Sequence, residues 1–286
     1  MTLLADFPLP NHLLSQRSAD GAQIKVSLHG GHLCSWTGAD GSERLFMSTR
    51  TKWDGEHALR GGVPVIFPQF ADFGPLPKHG FARMLPWQLL ESSCTQDGAG
   101  VLRLGLTDSA ATAALAGKFA LEISFHFSDT RMNIALVVHN TGTTTFAFTA
   151  ALHTYLRVAV AECTVRGLTL LPYRDSTDGG RVVQDLADGL AIDREIDRIY
   201  SGVTGSLMLD APARRVTLTQ NGFEDVVVWN PWRDKARVLD DLAPHEYQHF
   251  VCLESALIAH PQTLLPAQSW SGEQRIYVAD LPPHGN

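Results

Sequence analysis

The sequence predicts an all-β protein, a large antiparallel β-sandwich with few short helices. Two observations lead there. Short runs of β-branched and aromatic residues, often alternating, recur along the chain, each bounded by Gly, Asn, Asp or Pro. No helices interleave with them, as a parallel α/β sheet would require.

The elements follow in chain order. AQIKVSL (22–28) is the first clear strand, then VLRLGL (101–106), ALEISFHF (120–127) and RMNIALVVHN (131–140). RRVTLTQ (214–220), FVCLE (250–254) and WSGEQRIYV (270–278) complete the set. Asn140-Thr141-Gly142 and Asn221-Gly222 supply turns between strands. A short helical window over 109–116 and a helical turn near 240–242 are the exceptions. Segment 55–87, GEHALRGGVPVIFPQFADFGPLPKHGFARMLPW, is dense in Gly and Pro and has little periodicity. A long irregular stretch inside a β domain is usually functional, because ordering its backbone polar groups is costly.

At 286 residues, a rule of ~150 residues per domain suggests two domains, but all-β chains run to roughly 250 as one unit. No repeat or linker divides the sequence, so one domain over 1–286 is expected. The 23 Lys and Arg against 30 Asp and Glu leave a net charge of −7. That balance excludes a nucleic-acid binder, which needs a basic face to displace counterions. It also gives no long-range pull on an anion, so a phosphate site would need locally placed arginines. No apolar stretch approaches the ~18 residues of a membrane span. The N-terminus, MTLLADFPLP, has no basic region and carries Asp6 and two prolines where a signal core would sit. Cys34, Cys94, Cys163 and Cys252 are widely spaced, as in a reduced, cytoplasmic protein. A monomer is expected.

Several groups could carry chemistry. HEYQH (245–249) matches the H-E-x-x-H zinc pattern through His245, Glu246 and His249. That chemistry needs both histidines on one helical face, whereas this motif runs into the β-type FVCL. His29 and His32, in LHGGH, lack a further ligand. His153, in AALHTYLRV, ends an apolar run and, taken alone, reads more readily as a satisfied core histidine than as a catalyst. Glu254 follows four apolar strand residues, so it should face a cleft, since burial unpaired would cost several kcal/mol. A half-desolvated carboxylate has a raised pKa and suits a general base. Asp197, in EIDRIY, could equally be a surface partner of Arg194 or Arg198. Arg60 precedes Gly61-Gly62, and Arg83 follows His79 in KHGFAR. Glycines admit an anion close to backbone amides and guanidinium forks match phosphate oxygens, though both arginines could be solvated loop residues.

Taken in order, RGGVPVIFPQF (60–70), PKHGFAR (77–83), ALHTYLRV (151–158), EIDRIYSG (195–202), VVWNPW (227–232) and EYQHFVCLESA (246–256) resemble the hexose-6-phosphate mutarotases. These glucose-6-phosphate 1-epimerases belong to the aldose 1-epimerase superfamily, and the similarity spans about residues 20–280. The resemblance implies a galactose-mutarotase-like sandwich, a small phosphosugar as partner, and a site with no metal and no organic cofactor. By the family pattern Glu254 is the general base and His153 the general acid. His79 and Asp197 would hold sugar hydroxyls or the ring-oxygen region. Arg60 and Arg83 would bind the 6-phosphate, with Gln69 lining the same pocket. The two histidines of HEYQH are not family features, which further weakens the zinc reading. Leu156 departs from the pattern, standing where an aromatic residue is common, and this bears on packing around the sugar.

Interconverting anomers requires opening a hemiacetal and reclosing it on the other carbonyl face. A base removes the C1 hydroxyl proton while an acid protonates the ring oxygen, and both must be positioned together. A Glu tuned upward and a His near ~6.5 suit proton exchange around neutrality. Trp229 or Trp232 could stack on a sugar face, Trp229 being the better core candidate. The competing reading is a non-catalytic phosphosugar-binding or sensing module on the same sandwich.

Overall fold

Alternation builds the larger sheet. In Phe119–Phe127 and Arg131–Asn140 nearly every second side chain is fully buried, as period-2 strands with one covered face require. The computed structural model describes residues 10, 13–115, 117–184 and 186–281. Its nine-stranded sheet runs, in spatial order, Leu190–Ala191, Thr164–Arg166, Leu207–Ala211, Arg214–Asn221, Ser269–Asp280, Arg131–Asn140, Phe119–Phe127, Gly100–Thr107 and Gln88–Cys94. Adjacent strands pair antiparallel. All seven strands expected from the sequence are present.

The eight-stranded sheet positions the site. Its order is Arg181–Gln184, Pro172–Asp175, Ile196–Ser201, Asp225–Asn230, Phe250–Leu264, Phe146–Leu152 and Val65–Ile66, with Tyr155–Arg157 also pairing with Phe250–Leu264. A third sheet joins Leu14–Arg17, Gln23–Ser27 and His32–Thr37. Asp225–Asn230 and the first half of Phe250–Leu264 are buried on both faces. Val226, Val228, Val251 and Leu253 pack in one apolar cluster with Phe125, Ile134 and Leu136 of the nine-stranded sheet. Each such side chain withdrawn from water contributes about 1.5–3 kcal/mol. Val227, Trp229 and Cys252 point the other way, into a second cluster with Phe46, Tyr155 and Phe250. Double-sided burial accounts for the unbroken apolar run FVCL.

Two local expectations change. The helical window over 109–116 is one 3-10 turn, Ala110–Thr112, of which only Thr112 is buried; Ala116 lies outside the described residues. Alanines with no apolar face to bury cannot sustain an isolated helix. Residues 240–242 form a plain turn, while the α-helix falls at Trp232–Ala236. Most of the N-terminal stretch MTLLADFPLP, Asp6 included, lies outside the described residues. Among the described residues no helix is long and apolar enough to cross a membrane.

Segment 55–87 is irregular, as its composition predicts, holding only Val65–Ile66 and a 3-10 turn at Ala82–Met84. Its residues 61–70 are nonetheless buried throughout. His79 and Gly80 both adopt left-handed backbone, with φ 65° and 66°. At Gly80 a Cβ would lie 2.3 Å from the Phe67 carbonyl oxygen, so only glycine fits this approach. The loop carries Arg60, Gln69, His79 and Arg83 over the edge of the eight-stranded sheet.

Candidate active site

Strand register assembles two rows of side chains on the outer face of that sheet. Ile199 pairs with Val227, and Val227 with Glu254. Leu152 lies opposite Ser255 and Tyr155 opposite Cys252, which leaves His153 facing Glu254. The second row is Asp197, Trp229, Cys252 and Tyr155. Directly opposed residues of antiparallel strands share a face, so His153, Glu254 and Asp197 converge although they are distant in sequence.

These rows wall a cavity of about 490 Å³, a suitable size for a small ligand. Glu254 Oε1 is 3.3 Å from His153 Nε2. The remaining polar atoms of the pair, His153 Nδ1 and Glu254 Oε2, are buried with no protein partner. The imidazole stacks on Tyr155, with centroids 4.8 Å apart at 11°, and meets His79 and Trp229 edge-on. His79 Nδ1 accepts the Ala71 N–H at 3.2 Å, which leaves its proton on Nε2 as a donor. Arg60 donates to the Tyr155 hydroxyl at 2.9 Å and pairs with Asp241 at 3.0 Å. Arg83 donates to the Lys78 carbonyl at 2.8 Å, and its Nε is buried without a partner.

The structure places six of the seven residues singled out from the sequence on this cavity: Arg60, His79, Arg83, His153, Asp197 and Glu254. Gln69 is elsewhere. Its amide donates to the carbonyls of Ala71 and Leu76 and accepts the Leu76 N–H, so it braces the loop rather than lining the pocket. Asp197 faces the cavity, with Lys235 3.8 Å away, and is no surface partner of Arg194. Trp229 is a core tryptophan, as expected, and reaches the cavity as well. Trp232 packs on Tyr247 at 5.2 Å. Sequence reasoning gave no role to Lys78, Tyr155, Lys235 or Asp241, which line the cavity as well. Lys78 and Tyr155 stand inside the quoted blocks; Lys235 and Asp241 carried no signal beyond following VVWNPW. In HEYQH, Glu246 is buried and accepts from Ser48, Thr49 and Ala243, which explains its presence as a loop brace.

The sequence profile described as Aldose 1-epimerase matches residues 12–277. The chain belongs to the aldose 1-epimerase family. A relative from Cenchrus ciliaris, provisionally named glucose-6-phosphate 1-epimerase, is 30% identical over 93% of this chain and 84% of its own. A relative of the same provisional name from Escherichia coli is 33% identical over 91% and 89%. A crystal structure of a provisionally assigned mutarotase from Salmonella typhimurium superposes with a TM-score of 0.86 at 26% identity, covering 98% of this chain and 96% of that one.

Burial sets the electrostatics of this aldose 1-epimerase. Desolvation, helped by the Asp197 carboxylate, holds the Glu254 pKa well above the ordinary range. Desolvation and the charges of Arg60 and Arg83 push His153 well below its usual value. This departs from the near-6.5 histidine expected from the sequence, because the imidazole is buried beside two arginines. Burial also lowers Arg83 to about 10 and raises Asp197, the latter against the pull of Lys235. Separate charging of either partner is disfavoured, so the pair as a unit holds one proton. Such a couple always offers one donor and one acceptor, which is what a two-proton exchange needs.

Proposed function

We propose that this epimerase interconverts the α and β anomers of an aldohexose 6-phosphate, with glucose 6-phosphate as the substrate. One observation carries the reading: the His153–Glu254 couple shares its cavity with Arg60, Lys78 and Arg83. The provisional names of the relatives support the same substrate.

In this mechanism the couple's one proton first passes from Glu254 to His153 across their 3.3 Å contact. Glu254 then takes the C1 hydroxyl proton while His153 donates a proton to the ring oxygen, and the C1–ring oxygen bond breaks to give the open aldehyde. Both oxygens sit on C1, so two neighbouring groups reach them together. Rotation about C1–C2 presents the other carbonyl face. The groups then exchange roles: Glu254 returns its proton to the new C1 oxygen and His153 takes one from the attacking hydroxyl. His79 Nε2–H and Asp197 orient hydroxyls, and Trp229 offers a face to the sugar C–H surface. A phosphate held by Arg60 and Arg83 would neutralise the charges that depress His153, making its imidazolium easier to form. Asp241 now pairs with Arg60, so phosphate would compete with that carboxylate.

A reduced, cytoplasmic setting fits the four free cysteines, three of them buried. The test of function is exchange NMR or polarimetry on glucose 6-phosphate beside glucose and galactose. Faster turnover of the unphosphorylated sugars would remove the phosphosugar assignment. Saturable binding without anomer exchange would identify a sensing module instead.

A further inference from the structure

Beneath the His153–Glu254 pair, three buried polar side chains meet in an otherwise apolar layer. Thr154 and Ser255 follow His153 and Glu254 in the chain, so alternation turns them toward the nine-stranded sheet. There Gln274, on Ser269–Asp280, is fully buried. Its Oε1 accepts from Thr154 Oγ1 at 2.6 Å, and its Nε2 donates to Ser255 Oγ at 3.0 Å and to the Leu253 carbonyl at 3.3 Å. The next inward residues on its strand are Ile276 and Val278, both buried in the apolar cluster. An amide there costs several kcal/mol unless fully bonded. One amide therefore grips the residue after His153 and the residues on both sides of Glu254.

The ladder is weak at this point. Residues 153–154 interrupt the strand between Phe146–Leu152 and Tyr155–Arg157. The His153 N–H turns away to the Pro64 carbonyl, and the Thr154 N–H bonds locally to Leu152. Leu253 N–H to the Thr154 carbonyl, at 3.1 Å, bridges the interruption. Gln274 adds a cross-link from the opposite sheet.

We propose that Gln274 is a positioning residue: through Thr154, Ser255 and Leu253 it sets the separation of His153 and Glu254. The inference rests on reading that pair as acid and base. A purely structural amide would be dispensable once its partners are made apolar, because exchanging all members of a buried polar cluster for apolar groups is often neutral for stability. The deciding variant is Gln274→Met/Thr154→Val/Ser255→Ala. It should melt close to wild type yet lose ~10- to 100-fold in kcat on glucose 6-phosphate, the scale of misplaced catalytic groups. KM should stay within about twofold, since groups that contact the sugar and phosphate are untouched. Recovery of both stability and kcat in the triple variant would overturn the proposal. Should that variant not fold, Thr154→Val and Thr154→Ser decide. The serine should restore the kcat lost with valine, and equal, wild-type kcat in both overturns the idea. Glu254→Gln, assayed in parallel, separates the two claims. A fully active Glu254→Gln sinks the acid/base reading, whereas an inactive one beside a fully active triple variant sinks only the role of Gln274.

Discussion

Glu254 Oε1 lies 3.3 Å from His153 Nε2, with His153 in the two-residue break between the two segments, ending at Leu152 and starting at Tyr155, that pair with the strand of Glu254. Register of the flanking pairs, Leu152 with Ser255 and Tyr155 with Cys252, brings both residues to the same face of the sheet. A slip of one residue would invert every side chain, so packing of Val228, Val251 and Leu253 on the inner face fixes which residues stand on the outer face. The core of the sandwich thereby specifies the site.

Removing either proton carrier should remove the chemistry. Glu254→Gln keeps shape and burial but cannot accept a proton, and should lower kcat by ~10²–10⁴-fold, the usual worth of an acid/base group. His153→Asn should fall in the same range. The measurement is exchange NMR on glucose 6-phosphate, corrected for spontaneous mutarotation. A near-wild-type rate in Glu254→Gln would exclude that carboxyl as the base.

The two arginines should separate in their effects. Arg83 makes one bond, to the Lys78 carbonyl, so Arg83→Ala should chiefly raise KM for glucose 6-phosphate, by about 10- to 100-fold for a lost charge-assisted contact. Arg60 also holds the Tyr155 hydroxyl under the His153 ring and pairs with Asp241. Arg60→Ala should therefore lower kcat as well and reduce stability by about 1–3 kcal/mol. Identical kinetic profiles for the two variants would contradict this division.

What the sequence made legible follows from periodicity and from local pattern. Alternating strands such as Phe119–Phe127 are readable because one face is covered, and the Gly- and Pro-rich loop is readable because it has no period. Glu254 stood out as a carboxylate in an apolar run. Its pairing with His153 was not readable, since register between strands about a hundred residues apart leaves no local trace. Gln69 was misplaced because a buried amide in a site-forming loop can brace the loop or face the pocket, and only hydrogen-bond partners distinguish these. Gln274 gave no sign, lying in a strand whose exposed face is also polar.

Stability should respond to pH with opposite signs at two buried groups. His32 is fully buried, donates to the Gly61 carbonyl, and has its pKa lowered by desolvation to about 3. Its unfolded form binds protons more readily, so its contribution is complete above pH ~6.5 and is lost as pH falls through the folded value. Relative to His32→Gln, wild type should lose about 1.4 kcal/mol per pH unit below pH ~6. Glu254 is raised, so the folded state binds its proton more readily and wild type weakens as pH rises above ~4.5. Glu254→Gln should thus gain stability over wild type toward neutrality. Denaturant titrations of the three proteins at pH 4, 5, 6 and 7 check both slopes; parallel curves would refute the assignments.

Gln69 offers the last test, of a loop that orients one substrate-facing residue. Its amide ties Ala71 to Leu76, and the Ala71 N–H in turn fixes His79 Nδ1. His79 holds left-handed backbone at φ 65°, a conformation that costs about 1–3 kcal/mol and persists only while its surroundings enforce it. Gln69→Leu is near in size but removes one donor from the half-buried carbonyls of Ala71 and Leu76 and the acceptor of the Leu76 N–H. We expect a loss of about 1–3 kcal/mol in stability and a KM increase larger than any fall in kcat, because the acid/base pair sits on a different sheet element. His79→Ala should raise KM similarly, with a stability loss of its own because the Ala71 N–H loses its acceptor. Were Gln69 instead a direct ligand of the sugar, Gln69→Leu would weaken binding while the melting temperature stayed unchanged. Melting curves and steady-state kinetics on the two variants tell these apart.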